Sequence, residues 1–113
     1  MKKLTETFNK VSVHKGEKFM IELPSNATTG YSWELAVVSG KATLVKEDYI
    51  SDHPPEKYGN RHEEDFIVGG GGKDRYIFEA QETGALTINA NYRRSWEKKA
   101  PEKSQTFHIT VIQ

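Results

Sequence analysis

Hydrophobic and polar residues alternate with a period of two along most of this chain. The apolar members of the alternating segments are Phe19, Ile21 and Leu23; Tyr31, Trp33, Leu35 and Val37; Tyr76, Phe78 and Ala80; Leu86, Ile88, Ala90 and Tyr92; and Phe107, Ile109 and Val111. Antiparallel sheets with one buried and one wet face produce this pattern. The pattern is least regular from Lys41 to Ile50. We therefore predict an all-β protein.

The alternation and the turn signals between its segments predict seven main strands, with an eighth short strand near Asp65–Val68. The predicted strands cover about residues 7–13, 18–23, 31–38, 42–49, 74–80, 84–92 and 105–112. Short alternating strands at this spacing indicate an immunoglobulin-like antiparallel β-sandwich of seven or eight strands. A chain of 113 residues predicts one domain, spanning 1–113.

The connections between these strands alternate in length. The second, fourth and sixth connections, at 24–30, about 50–73 and 93–104, are the longer ones. If successive strands run antiparallel, these three connections meet at one end of the sandwich, where recognition loops usually lie. The stretch 51–65 is polar and long for a connection in a compact domain.

Charge and composition narrow the possible partners. The 16 basic and 16 acidic side chains cancel, which argues against nucleic acid or an anionic membrane as a partner. The absence of cysteine excludes a disulfide framework and a thiol nucleophile. No apolar run follows the N-terminal lysines, so we expect a cytoplasmic protein, with a secreted mature form as the open alternative.

The first long connection contains Asn26, Ala27, Thr28, Thr29 and Gly30. The asparagine can shape the turn, the glycine permits a positive φ, and the threonines are stiff, uncharged groups at the tip. An ordinary turn is the simplest interpretation, and the first three residues also form a glycosylation sequon.

The second motif is the run Gly69, Gly70, Gly71 and Gly72. It lacks the spacing of a phosphate-binding loop. A flexible connector is the simple interpretation. The functional alternative is an exposed backbone that a partner could pair with as an added strand.

The third motif is Arg94, Ser95 and Trp96, where a predicted strand enters a cationic loop. Exposed Trp and Arg are enriched at binding hot spots. The alternative is that Trp96 folds back and caps the end of the sandwich.

Chemistry beyond binding has little support in this sequence. The four histidines are scattered and predict no metal site, and no nucleophile lies in a recognisable turn, so we expect no cofactor and no enzymatic activity. Two further functions stay open. One is an immunoglobulin-like module that binds carbohydrate or another protein, and the other is a small enzyme.

The three motifs, in this order, resemble the chagasin family of inhibitors of papain-like cysteine proteases. That family carries an Asn-Pro-Thr-Thr-Gly loop, a Gly-x-Gly-Gly loop and an Arg-Pro-Trp/Phe loop on an immunoglobulin-like sandwich. Here Ala27 and Ser95 replace the family prolines, and the stretch before Gly69 is longer than in chagasin itself. Loss of these prolines is expected to loosen both loops slightly.

The resemblance implies a mechanism and a partner. The tip from Asn26 to Thr29 would enter the cleft of a papain-like protease, the glycine backbone would pair on the non-primed side, and Arg94 and Trp96 would pack on the primed side. Inhibition would be reversible, competitive and non-covalent. The free protein would be a monomer.

Overall fold

The computed structural model describes residues 1–26, 30–51, 71–98 and 100–113. Its eight strands are β1 (Lys2–Leu4), β2 (Lys10–His14), β3 (Lys18–Asn26), β4 (Tyr31–Ser39), β5 (Ala42–Ser51), β6 (Gly71–Ala80), β7 (Gly84–Arg94) and β8 (Lys103–Ile112). They form two four-stranded sheets, ordered β1-β3-β6-β5 and β2-β8-β7-β4. The predicted all-β sandwich is confirmed. No part of the described chain forms a helix able to cross a membrane.

The alternating residues form the core between the two sheets. Phe19, Ile21 and Leu23 on β3 are fully buried, as are Ile88 on β7 and Phe107 on β8. The two sheets therefore bury the faces that the period of two marked in the sequence.

The N-terminal segment differs from its prediction. In place of one strand over 7–13, the chain forms β1 on one sheet, turns at Thr5–Phe8 and forms β2 on the other sheet. Both short strands pair in parallel, β1 with β3 and β2 with β8. The turn is closed by hydrogen bonds between Thr5 and Phe8, which let one segment cover an edge of each sheet.

The strand that follows the glycine run also differs. The structure begins β6 at Gly71, three residues before the predicted start at 74. The predicted short strand at Asp65–Val68 lies outside the described residues.

Candidate functional site

The ends of the strands bring the three motifs to one end of the sandwich. In one sheet, Asn26 at the end of β3 pairs with Gly71 at the start of β6. In the other sheet, Tyr31 at the start of β4 pairs with Arg94 at the end of β7. The connection that carries Ala27, Thr28 and Thr29, which lie outside the described residues, therefore links the two sheets at this end. We call this surface the loop end.

Trp96 lies against Gly30 at the loop end. A Cβ atom placed on Gly30 would lie 2.5 Å from Cη2 of the Trp96 indole, so the ring occupies the space that any other side chain would need. Gly30 has a φ of 81°, which also favours glycine. The indole is nevertheless 66% exposed. The indole thus packs against Gly30 on one side and is exposed to solvent on the other, and it is not part of the core.

Arg94 extends a column of stacked aromatic rings. Its guanidinium lies 4.5 Å from the centre of the Tyr31 ring, in the range of a cation–π contact. Tyr31 stacks on Tyr92 with ring centres 5.1 Å apart, and Tyr92 lies 4.8 Å from the buried Trp33. The partly buried arginine is therefore connected to the core through three rings.

Glu97 holds the third motif in a tight turn. Its backbone N–H donates to the Arg94 carbonyl at 3.1 Å, and its own carbonyl accepts from Nη2 of Arg93 at 3.1 Å. Its carboxylate accepts from Nη1 of Arg94 at 3.4 Å. These three contacts present Ser95 and Trp96 at the tip of the turn. Because Glu97 follows the motif, sequence reasoning did not assign it a role.

The described glycines of the second motif lie within the sheet. Gly71 pairs with Asn26, and Gly72 pairs with Ser25 on one side and Ser51 on the other. A Cβ on Gly72 would lie 2.5 Å from the Tyr49 hydroxyl, so the tyrosine packs directly on this backbone. Gly72 is therefore not open to an added strand, which corrects the expectation of an exposed backbone there. Gly69 and Gly70 lie outside the described residues.

Within the described residues, no group of three or more histidine or acidic side chains is placed to hold a metal ion. The loop end offers an exposed indole and a guanidinium stacked on a tyrosine ring, and paired strand ends hold the connections that carry them. Such a surface suits recognition of another macromolecule.

Comparison with known proteins places the chain among inhibitors. The family model described as chagasin family peptidase inhibitor I42 matches residues 12–111. Amoebiasin-1 from Entamoeba histolytica is 33% identical over 111 residues, which cover 96% of this chain and 97% of that protein.

Two solved structures share the fold. The crystal structure of the cysteine protease inhibitor EhICP2 from Entamoeba histolytica matches with a TM-score of 0.75 at 24% identity, covering 97% of this chain and 94% of that chain. The structure of PbICP-C in complex with falcipain-2 matches with a TM-score of 0.51 at 22% identity, covering 100% of this chain and 91% of that chain.

Proposed function

Because the chain belongs to the chagasin family of peptidase inhibitors, we propose that it is a reversible, competitive and non-covalent inhibitor of papain-like cysteine proteases. Membership of this family confirms two predictions made from the sequence, namely the resemblance and the absence of enzymatic activity. The physiological location stays a prediction, and we propose the cytoplasm.

The observation that carries the proposal is the exposed Trp96 held over Gly30, beside the stacked Arg94. A partner that covers this indole gains apolar burial without first having to order the ring, because the protein already holds it in place. Exposed aromatic anchors of this kind dominate the affinity of many interfaces. The two related structures, a cysteine protease inhibitor and a complex with falcipain-2, support a protease as that partner.

The roles that we propose for the loops are those that the family resemblance implies. Thr28 and Thr29 would enter the cleft above the catalytic cysteine, between anchors at Asn26 and Gly30. Trp96 and Arg94 would pack on the primed side. On the non-primed side, backbone pairing falls to Gly69 and Gly70, since Gly72 is already paired on both sides. An interface of this type buries roughly 1,600 Å² in total.

The decisive experiment is a titration of the protein against papain whose active sites have been counted, with trypsin as the control protease. We expect one molecule of the protein to inhibit one molecule of papain, and we expect no effect on trypsin. For competitive inhibition, the apparent Ki should increase with substrate concentration. Activity should return after rapid dilution, and the mass of both proteins should be unchanged. Papain that stays fully active would contradict the proposal.

The variant Trp96→Ala distinguishes the inhibitor from the carbohydrate-binding alternative. Binding to a glycan array that is lost in Trp96→Ala, together with no effect on papain, would assign the indole to sugar stacking. Loss of papain inhibition in that variant, with no glycan bound by the parent protein, supports the inhibitor.

A further inference from the structure

A cavity of about 380 Å³ lies between the two sheets, beneath the loop end. It opens between β4 and β5, which are the facing edge strands of the two sheets, and β6 forms its back. The side chains that matter here belong to Ser32, Trp33, Glu47, Tyr49, Asp74 and Tyr76. None of them lies in the three loop motifs.

Two carboxylates line this cavity, that of Asp74 partly buried and that of Glu47 exposed at its mouth, and neither forms an ion pair within the described part of the chain. Glu47 pairs in register with Tyr76, and Tyr49 pairs with Asp74, so all four side chains lie on the inner face of their sheet. No lysine or arginine of the described residues forms an ion pair with Glu47 or Asp74. Burial and the nearby Glu47 raise the pKa of Asp74, although a hydrogen bond from Ser25 opposes this. The cavity is thus electronegative.

Asp48 also lines the cavity, but unlike Glu47 and Asp74 it has a cationic partner. Its carboxylate accepts two hydrogen bonds from Arg75, at 2.9 and 3.1 Å. The contrast is informative because the strand neutralises one acidic residue with a bidentate arginine and leaves the residue before it without a partner.

Tyr76 presents a further polar group to the cavity, independent of the two carboxylates. The residue is only 8% exposed, and its hydroxyl has no hydrogen-bond partner among the described residues. No polar side-chain atom in the described part is both fully enclosed and unpartnered, so the hydroxyl oxygen must reach open space, which the cavity supplies. A ligand in the cavity can therefore form a hydrogen bond with this hydroxyl without displacing a protein partner.

We propose that this cavity binds a single basic group, a primary ammonium or a guanidinium, carried either by a Lys or Arg side chain of a bound protein or by a free amine. The carboxylates of Glu47 and Asp74 accept its charged hydrogen bonds, which are the stronger kind. The Tyr76 oxygen accepts a further one, and the aromatic face of Trp33 lines the wall beside the charge. The volume lies in the range of small-ligand sites, about 300–1,000 Å³.

The test uses the whole chain, labelled with nitrogen-15, and follows the two indole N–H signals by NMR. Trp33 lines the cavity and Trp96 does not, so the protein contains its own reference. Titration with n-butylammonium or ethylguanidinium chloride should shift the Trp33 signal to saturation and leave Trp96 unmoved. The uncharged n-butanol should not reproduce the shift.

Variants test the assigned groups. Glu47→Gln should weaken binding at least about tenfold, equivalent to about 1.4 kcal/mol. Tyr76→Phe, which keeps the ring, should weaken it severalfold. Glu34→Gln is the matched control, because Glu34 is exposed on β4 and makes the same change of charge outside the cavity. No saturable shift with either cation, or equal affinity in Glu47→Gln and Glu34→Gln, would overturn the proposal.

A second arm identifies the source of the basic group. If a protease side chain occupies the cavity, Glu47→Gln raises the Ki for papain about tenfold and added butylammonium competes with inhibition. If a free amine is the ligand, neither Glu47→Gln nor added butylammonium changes the Ki for papain, although butylammonium still shifts the Trp33 signal of the parent protein. The titration of the free protein does not depend on inhibition, so the two proposals can fail separately.

Discussion

The indole of Trp96 occupies the space above Gly30 where a side chain would otherwise stand, with only 2.5 Å between its Cη2 and the position of a Cβ. The first and third motifs, 66 positions apart in the sequence, are thereby one packed unit. A substitution at Gly30 should therefore affect papain inhibition by displacing Trp96. This effect can be measured separately from the backbone strain that the substitution also causes.

Gly30→Ala should weaken papain inhibition by about tenfold, because the new methyl group displaces Trp96 from its seat. It should also cost about 1–2 kcal/mol of stability, since its φ of 81° disfavours residues with a Cβ. Gly16→Ala is the matched control. Gly16 has a φ of 86° and nothing within 4 Å of a Cβ, so it shares the strain and lacks the contact. Equal Ki values for the two variants would contradict this prediction.

Trp96→Ala should weaken papain inhibition by at least about 1–2 kcal/mol and leave the melting temperature almost unchanged. The indole is two-thirds exposed, so its removal creates no cavity in the core. Ile112→Ala removes a partly exposed apolar side chain from the opposite end of the sandwich and serves as the control. A Ki measured for each variant decides whether the anchor lies at the loop end.

Glu97→Gln should weaken inhibition modestly, by about 0.2–1 kcal/mol, because it removes the charge that orients Arg94. Since the ion pair is partly exposed, the difference from the parent protein should shrink as salt is raised. Glu102→Gln makes the same charge change in the same connection, without an ion pair in the described structure. If both variants lose affinity equally, the effect belongs to net charge and not to the turn.

Asp74→Asn should raise the free energy of unfolding at neutral pH. Burial raises the pKa of Asp74 above its ordinary 3.8, so the folded state binds that proton more tightly and ionisation lowers stability. The extra stability of the variant over the parent protein should be absent below about pH 3.8. It should grow as the pH rises from 3.8 through the raised pKa of Asp74. Thermal unfolding of both proteins across this range provides the measurement.

Asp48→Asn is the control, because it should change the free energy of unfolding in the opposite direction. The hydrogen bond to Arg75 lowers the pKa of Asp48, so its contribution to stability is present above the ordinary 3.8 and lost as pH falls through the lowered pKa. The asparagine variant should thus be less stable than the parent at neutral pH and match it in acid. Shifts of the same sign in both variants would refute the contrast between the two carboxyls.

Much of the fold could be predicted because alternation reports directly on burial. Phe19, Ile21 and Leu23 were identified as one face of a strand, and all three are fully buried. The strand Lys2–Leu4 was missed because three residues with a single buried side chain are too few to show an alternation of apolar and polar positions. The start of β6 was missed because glycines have no side chain to alternate, although the sheet pairs their backbone like any other.

The candidate site was predicted in part. The order of the motifs and the alternation of long and short connections were sufficient to expect one shared end, and the described residues lie there. The contact of Trp96 with Gly30 and the three bonds of Glu97 were not predictable. They depend on how two strand ends face each other across the sandwich, and no local pattern records that distance.

The electronegative cavity shows the same division most clearly. The bulge in β5 between Leu44 and Lys46 shifts the phase of the strand, so that Glu47 and Tyr49 turn inward where strict alternation would place Lys46 and Asp48. The sequence alone determined that the chain is a β-sandwich with three loop motifs in a fixed order, because burial and turn preferences are local properties. The tertiary structure decided which side chains meet, because strand register and bulges are settled by pairing with distant residues.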